Sequence, residues 1–357
     1  MNPDTLITIL QVIAAIAILV FIHEMGHFVV ARLLHVEVEE FGIGFPPRMV
    51  TLFHAWGTRF SLNWLPLGGF VRPKGESDPS VPGGMAASSP WVRIAILAAG
   101  PAANLLAAVV IFAYIFMRIG VSTPGPVYVQ EVSPGSPAET AGLKAGDLIL
   151  TADGVEVQDT ETLHNTIYSN LGSPVIFQIQ RENEVQEISI VPRQDPPPEG
   201  AIGIAMRVSS ETRDASPLEA IYLGGVSVAE QIYTLLTLPV RVVEGSIAPE
   251  EARLVGYRGM VDIYQGLQDS EAEFGIPAGV GSLFFMGTIS VSLGLLNLLP
   301  IPALDGGRIL FTLPELILRR RIPPAYEAMI NTVSLALLVL LMIYINIQDF
   351  VNPVSFR

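Results

Sequence analysis

The clearest pattern along the chain is a series of long apolar runs separated by polar segments. Residues 5–22 carry no charge, and this run resumes after a short polar interruption and ends near Leu34. A helix needs about 20 residues to cross the hydrocarbon core of a membrane. Runs of this length also occupy residues 91–118, 278–300 and 325–347. The pattern therefore predicts an α-helical polytopic membrane protein with four transmembrane helices.

A further apolar stretch, from Leu218 to Val243, is interrupted by Glu219, Glu230, Gln231 and Arg241. Polar residues at this density favour an amphipathic helix that lies on the membrane surface over a fifth span. We therefore assign residues 196–277 to a linker that contains this amphipathic helix.

Basic residues in the short loops predict the orientation of the four spans. Four of them follow the first span, namely Arg48, Arg59, Arg72 and Lys74, and Arg319 to Arg321 precede the fourth. Loops rich in Lys and Arg stay in the cytoplasm. The expected location is the inner (plasma) membrane, with both termini and the segment between the second and third spans outside the cytoplasm.

Composition supports this division of the chain into membrane and water-exposed parts. Charged residues make up 15% of the sequence, whereas an ordinary soluble protein has about 25%. Residues 120–278 hold 23 acidic and 8 basic residues, which is typical of a solvated domain surface. Such a segment would repel phosphate, so no nucleic-acid partner is expected. Cysteine is absent, so any metal must be held by His, Asp or Glu.

Two segments predict β-structure. In the loop 41–73, Arg59 to Trp64 and Phe70 to Arg72 are strand candidates around the turn Pro66-Leu67-Gly68-Gly69, which predicts a membrane-associated β-hairpin. Residues 123–195 alternate short strand candidates with turns and close on a Pro-rich run. They predict an α+β domain inserted between the two halves of the membrane core, residues 1–122 and residues 278–357.

The candidate chemistry lies in the first span, in the sequence His23-Glu24-Met25-Gly26-His27. On a helix, His23 and His27 are one turn apart and share a face, so their imidazoles can bind one Zn²⁺. Zinc lowers the pKa of a bound water to about 7, and Glu24 is placed to act as its general base. Ionisable side chains inside a span cost a few kcal/mol each unless they are compensated, and a metal supplies that compensation.

A catalytic zinc usually has three protein ligands, so one more is needed. The best candidate is Asp305, which follows the Pro-broken end of the third span. By this motif alone, Asp305 would serve equally well as the N-cap of a helix Arg308–Leu318; the His-Glu-His motif favours the ligand. The weaker rivals are Glu37, Glu39 and Glu40, and the remaining histidines, His35, His54 and His164, rank lower.

With these motifs in this order, the chain resembles the site-2 protease family, specifically the bacterial RseP/RasP type of regulated intramembrane metalloprotease. The matching stretches are HEMGH, GTRFSLNWLPLGGFVRPKGE, Gly100-Pro101-Ala102-Ala103-Asn104 and NLLPIPALDGG. The insert looks like a bacterial PDZ domain, with GSPAETAGLKAGD as its most typical stretch. One PDZ unit is visible where the RseP type has two.

The resemblance implies one Zn²⁺ per chain, held by His23, His27 and Asp305, with Glu24 as catalytic base. It implies substrate contacts from Asn297, Pro300 and Pro302, and from the hairpin residues Leu65, Gly68, Gly69 and Phe70. The implied partners are the lipid bilayer and single-span membrane proteins that another protease has already trimmed, such as anti-sigma factors or remnant signal peptides. The implied active site faces the cytoplasmic side.

Two alternatives stay open. A membrane-anchored zinc protease could act on soluble or loop substrates, although the motif follows 18 charge-free residues of one continuous span. A PDZ-bearing membrane scaffold with a structural zinc would need no general base. Glu24 distinguishes that scaffold from a protease.

Overall fold

The computed structural model describes residues 3–76, 78–123, 125–197, 200–209, 211–248 and 252–352. The chain divides into two compact units. The helical unit combines Met1–Ile119 with Ser216–Arg357, and the inserted unit is Gly120–Ala215.

The helical unit is built from seven described helices, numbered here in chain order through the whole molecule. They are α1 (Pro3–Leu33), α2 (Pro90–Ile119), α5 (Pro217–Val243), α6 (Tyr257–Phe274), α7 (Val280–Leu298), α8 (Asp305–Leu318) and α9 (Pro324–Val351). Five of them, α1, α2, α5, α7 and α9, are long and apolar enough to cross a membrane. The four predicted spans coincide with α1, α2, α7 and α9.

Helix α5 is the additional candidate, and it packs along α2. Gly224 lies directly on the backbone of Val109 and Ala113, where a Cβ atom would come within 2.6 Å of the Val109 carbonyl oxygen. One turn later, Val228 joins the buried cluster around Phe112. The structure thus offers five helices of sufficient length, and the count of four spans, with α5 on the surface, stays a prediction.

Small residues allow the central helices to approach closely. A Cβ atom on Gly26 of α1 would collide with the Ala99 carbonyl oxygen and would lie 2.7 Å from Ala103 Cβ on α2. On the other side of α2, Gly294 of α7 packs against Leu105. Helix α2 therefore packs closely against both α1 and α7, at the level of the His-Glu-His motif.

Helix α7 ends at Leu298, and a loop leads to α8, as the two prolines of this segment predict. Ala303 takes a left-handed conformation with φ of 74°, and its N–H donates to Asn331 Oδ1 on α9. The next helix then starts with glycines because the loop lies directly on its first turn. A Cβ atom on Gly306 or Gly307 would collide with loop carbonyl oxygens, including that of Ile301.

The predicted hairpin exists, but the predicted position of its turn is wrong. Strand β1 (Val38–Ala55) and strand β2 (Thr58–Pro73) are joined at Trp56 and Gly57, which have φ of 53° and 78°. Two consecutive positive φ values are typical of a tight hairpin turn. Residues 66–69, predicted as the turn, lie within β2.

The pairing of β1 with β2 falls into three runs because register shifts interrupt it. Residues 48–55 pair with 58–63 across the turn, whereas residues 40–43 pair both with 59–62 and with 69–72. The two predicted strands, 59–64 and 70–72, are therefore separated by the first part of β1 and do not pair with each other. Among the described residues, strand segment 69–73 has no second strand partner, so it forms one edge of the sheet.

The inserted unit is built around a six-stranded antiparallel sheet. Its strands are β4 (Val127–Val132), β5 (Leu148–Ala152), β6 (Val155–Glu156), β7 (Val175–Arg181), β8 (Glu184–Ile190) and β9 (Ile204–Val208), with the main order β8-β7-β5-β4-β9 and β6 beside β5. A two-stranded pair, β3 (Val121–Thr123) with β10 (Glu211–Arg213), lies outside this sheet.

Two helices complete the inserted unit, and both begin at side-chain caps of the expected kind. In α3 (Pro137–Thr140) the Ser136 hydroxyl accepts from the Glu139 N–H, and in α4 (Thr160–Ser169) Asp159 accepts from Thr162. The predicted end of this domain at residue 195 is wrong. Strands β9 and β10 belong to the unit because they pair with β4 and β3.

Candidate active site

Two imidazoles of α1 meet inside the helical unit. His23 Nε2 and His27 Nε2 are 3.1 Å apart, as the one-turn spacing predicts, and both side chains are nearly 90% buried. Their rings meet edge to face. Two nitrogens this close are difficult to explain as separate structural histidines, because each would need its own partner.

The third group is the carboxylate of Asp305. Its Oδ2 atom lies 3.1 Å from His23 Nε2 and 3.3 Å from His27 Nε2. Asp305 is the first residue of α8, the N-cap position is Leu304, and that helix start has no side-chain cap hydrogen bond. The carboxylate therefore faces the imidazoles and does not cap the helix.

The three groups fit a zinc ion. Four ligands at zinc–nitrogen and zinc–oxygen distances of about 2.0–2.1 Å in a tetrahedron lie about 3.3 Å from one another. The observed separations of 3.1, 3.1 and 3.3 Å match this geometry. Among the described residues, these three form the one cluster of three or more His, Asp or Glu ligand atoms found within 4.8 Å of one another. The donor set leaves a fourth position for water or substrate.

Helix α2 shapes the space around the imidazoles. His27 Nδ1 lies 2.7 Å from the Ile96 carbonyl oxygen, so Nδ1 carries a proton, and in the neutral ring Nε2 has the lone pair that a metal would bind. A Cβ atom on Gly100 would collide with the His27 ring and would come within 2.8 Å of His23 Nε2. The glycine is required here because the two rings occupy the volume that a side chain would take. Sequence reasoning assigned no role to Gly100 or Ile96.

A cavity of about 540 Å³ opens onto the three groups. Its wall includes Glu24, the edge segment of β2 and the first turn of α8. Val71 lines this cavity together with Glu24, and Gly69 packs against Glu24 Cγ. The base candidate and the sheet edge therefore share one cavity with the metal-binding triangle.

The residues predicted to contact substrate are distributed unevenly around this cavity. Asn297 and Phe70 line it, and Gly69 touches Glu24 from the edge of the sheet. Leu65 and Gly68 precede the edge segment in β2 and contact Phe45. Pro300 and Pro302 lie in the loop before α8 and are not among the described residues that line the cavity.

Glu40, a weaker ligand candidate, has a different role. Its side chain is 4% exposed and accepts two hydrogen bonds from Arg48, at 3.0 and 3.1 Å, and one from Ser61, at 2.8 Å. Arg59 and Arg72 lie 3.9 and 3.6 Å away. Burial acts to raise the pKa of Glu40, but these hydrogen bonds and the neighbouring arginine charges outweigh it and lower the pKa. The ionised carboxylate therefore ties the segments of the hairpin sheet together.

The other rival side chains lie apart from the metal-binding triangle. Glu37 pairs with Lys74 on the surface, and Glu39 is exposed. His164 stacks on Tyr168 in the inserted unit, and His35 and His54 are exposed.

A second cavity, of about 380 Å³, adjoins the first. Both cavities are lined by Glu76, Met85, Leu97, Ala303 and Arg308. The ion pair between Glu76 and Arg308, at 2.8 Å, is the polar part of this shared wall.

Two solved structures of PDZ domains match part of the chain. The PDZ domain of the SdrC-like protein from Listeria monocytogenes is 26% identical, with a TM-score of 0.21, and the match covers 25% of this chain and 93% of that one. The corresponding domain from Listeria innocua is 30% identical, with a TM-score of 0.20, and covers 25% and 99%.

Whole-chain comparisons are more extensive. The family model described as peptidase family M50 matches residues 11–341. Proteins named "putative zinc metalloprotease" in Clostridium acetobutylicum and Clostridium perfringens are 31% and 32% identical, over 96% and 97% of this chain and 97% and 99% of theirs. One in Rickettsia conorii is 32% identical over 98% of this chain and its own full length. The chain therefore belongs to peptidase family M50, the site-2 protease family, and is a zinc metalloprotease of a membrane.

Proposed function

We propose that this protein is an intramembrane endopeptidase that cleaves single-span membrane proteins after another protease has trimmed them outside. Anti-sigma-factor-like proteins and remnant signal peptides are the substrate classes that the family suggests. The observation that carries the proposal is the shared cavity. Glu24, the metal-binding triangle and a strand edge open onto one space between apolar helices.

In the proposed reaction, three residues would hold the metal and Glu24 would act as the general base. His23, His27 and Asp305 would hold a zinc ion, which would supply a Lewis acid for the peptide carbonyl and for the attacking water. Glu24 takes the proton of the attacking water and passes it to the leaving nitrogen. Gly69 packs against Glu24 Cγ, which limits the positions that the carboxyl group can take.

The sheet edge would hold the substrate. A transmembrane helix hides its peptide bonds in its own hydrogen bonds, so the cleaved segment must first unwind. Segment 69–73 lies beside Glu24 and has no second strand partner among the described residues, so it can accept the unwound segment as an added strand. Asn297 lines the same cavity, and because its Nδ2 donates to the Leu293 carbonyl oxygen, its Oδ1 would accept from the unwound segment.

The proposed topology has four spans in the plasma membrane, with both termini and a PDZ-type inserted unit outside the cytoplasm. Helix α5 then starts and ends on the same side. In support, the segment after α5 is tied to the end of α9, where Asp349 accepts from Arg253 and from the N–H groups of Gly256 and Gly259.

The sequence has no cysteine, so a single introduced cysteine can report the side of the membrane directly. Glu184→Cys in the inserted unit and Ser246→Cys after α5 are both exposed positions. We expect an impermeant maleimide to label both from outside intact cells. Labelling of Ser246→Cys only after permeabilisation would show that α5 crosses the membrane.

Cleavage itself is tested by co-expressing the protein with tagged single-span membrane proteins. Glu24→Gln removes the base but none of the three metal-binding groups. We expect a loss of product by several orders of magnitude, with zinc retained. The matched control is Glu39→Gln, the same chemical change at an exposed residue, which should cleave normally.

The same experiment separates the alternatives. Full cleavage by Glu24→Gln would overturn the proposed mechanism, and product in neither strain would favour a scaffold with a structural zinc. A soluble reporter that carries the same cleavage segment tests for a protease of loop substrates, because only such a protease would cut it. We expect that reporter to remain intact.

A further inference from the structure

Asn104 is a buried amide side chain that the proposed chemistry does not use. It lies on α2 and is 1% exposed, and its Nδ2 atom is 3.4 Å from His23 Nδ1. Its Oδ1 atom is buried without a hydrogen-bond partner among the described residues. An unpaired buried carbonyl oxygen costs about 1–3 kcal/mol, so this atom needs an explanation.

The backbone at Asn104 is held firmly in place. The Ser290 hydroxyl of α7 donates to the Asn104 carbonyl oxygen at 2.8 Å, and Ser290 is completely buried. Gly294, one turn further along α7, packs against Leu105. The side chain therefore has a fixed origin and can change partners only by rotating its amide group.

The position of the proton on His23 decides which amide atom should face it. His23 Nε2 is the atom that points at Asp305 and His27, so binding a metal there requires its lone pair. The ring proton must then sit on Nδ1, which faces the amide of Asn104. With Nδ2 placed there, two N–H donors would point at each other.

Exchanging the two amide atoms by a half-turn resolves this conflict. Oδ1 of Asn104 then accepts the proton of His23 Nδ1, and the unpaired carbonyl oxygen acquires a donor. The exchange leaves the amide NH₂ in the place that Oδ1 occupied, but it converts a repulsive pair of donors into a hydrogen bond beside the metal-binding group.

The partner of His27 supports the same assignment. His27 Nδ1 is already paired with a carbonyl oxygen of α2, that of Ile96, at 2.7 Å. With the amide exchanged, α2 supplies one oxygen acceptor to each of the two histidines. Groups of this kind fix the tautomer and orientation of metal-binding imidazoles.

We propose that Asn104 is a positioning residue for His23, whose Nδ1 proton it accepts so that Nε2 stays free to bind the metal. This inference rests on the proposed role of His23 as a zinc ligand. It adds a residue outside the ligand set, together with the orientation of its amide.

The test is zinc affinity, measured on the purified full-length protein by competition with a chelator. Asn104→Leu keeps the approximate volume and removes the acceptor, and Asn104→Asp keeps two acceptor oxygens and removes the donor. Loss of such an outer partner typically lowers metal affinity about 10- to 100-fold. We expect that loss in Asn104→Leu and wild-type or tighter binding in Asn104→Asp.

The control is Ser290→Ala, which removes the hydrogen bond from α7 to the Asn104 carbonyl oxygen but no acceptor of His23. We expect wild-type zinc affinity in this variant. Equal losses in all three variants would show that Asn104 only joins α2 to α7, and a loss in Asn104→Asp alone would show that its NH₂ group is what His23 needs. Either result overturns the proposal, as does unchanged affinity in Asn104→Leu.

The readout is independent of cleavage, so this inference and the proposed function fail in different ways. A wild-type protein that binds one zinc but cuts nothing leaves the role of Asn104 testable in full. A wild-type protein that binds no zinc removes the metal site and this inference together.

Discussion

The two units of the chain differ in how many polar side chains they bury. In the inserted unit most buried residues are apolar, with Val127, Phe177 and Ile179 at its centre. In the helical unit, buried positions include Glu40, Asn104 and other polar side chains, while many apolar side chains of α1, α2 and α9 are exposed. The first arrangement suits water and the second suits lipid.

The difference shows where function should be sought. In the inserted unit, a buried polar group mostly joins elements, as in the pairing of Asp147 with Arg181 at 2.6 Å. In a helical unit surrounded by lipid, apolar packing alone would suffice to fill the interior. Polar groups there cost free energy, and in this protein those at His23, His27 and Asp305 converge on one point. Substitutions that test each unit separately can break or sharpen this comparison.

A substitution that fills the space beside the two histidines should have the largest effect on zinc content and cleavage. Gly100→Val places a side chain where the rings of His23 and His27 lie. We expect zinc content to fall below about a tenth of wild type and cleavage to fall about 1,000-fold or more, because the ligand geometry is lost. Zinc is measured by elemental analysis of the purified protein.

Ala102→Val is the matched control for this substitution. It adds the same type of side chain two residues away on the exposed face of α2. It should keep both zinc and activity. Normal zinc binding in Gly100→Val would contradict the close packing of α2 on the two imidazoles.

Substitution of Glu40 should have a smaller effect on the rate of cleavage. This residue holds the hairpin sheet together but does not contact the metal-binding triangle. Glu40→Gln weakens the contacts to Arg48 and Arg72 and so lets the edge segment shift. Small misplacements near a reacting bond cost about 10- to 100-fold in rate, and we expect a decrease in this range with zinc retained. Glu39→Gln, at the exposed neighbouring position, should show no decrease.

Glu40 also predicts a pH dependence. Its pKa is lowered in the folded protein, so the ionised carboxylate stabilises the sheet above its unfolded pKa. That stabilisation is lost as pH falls through the lower folded value. Hydrogen-exchange protection factors of residues 48–55, which are corrected for the intrinsic pH dependence of exchange, should therefore fall in acid in the wild type. In Glu40→Gln they should already be lower at neutral pH and respond less to acid, and identical pH profiles would contradict the role of Glu40.

Features that depend on local pattern could be predicted from the sequence. Four apolar runs coincide with α1, α2, α7 and α9, because a lipid-facing helix carries its signal in consecutive residues. The one-turn spacing of the two histidines and the proline break before Asp305 are equally local. The structure brings these three residues together, although 278 positions separate His27 from Asp305.

Features that depend on distant partners could not be predicted. Pro66 to Gly69 has the composition of a turn, but β2 runs through it because the residues on both sides of it pair with residues 40–43 of β1. Strand β9 was assigned to a linker because its partner, β4, lies about 70 residues earlier. The role of Gly100 depends on how α1 crosses α2, which one helix alone does not determine.

A substitution in the core of the inserted unit should have the smallest effect on zinc binding and cleavage. Ile179→Ala removes part of a fully buried side chain from β7, which should destabilise the inserted unit by about 2–5 kcal/mol. Hydrogen exchange in the full-length protein should show faster exchange in the sheet strands β5, β7 and β8. Zinc content should stay at the wild-type level, because the metal-binding groups all belong to the other unit.

Ile176→Ala is the control, because it makes the same change on the same strand at a side chain that is 51% exposed. It should leave both exchange and zinc content unchanged. If Ile179→Ala instead lowered zinc content, the two units would depend on each other for folding. The contrast between an apolar core and a polar catalytic interior would then describe one cooperative structure, and the insert would have to be included in any account of how the site forms.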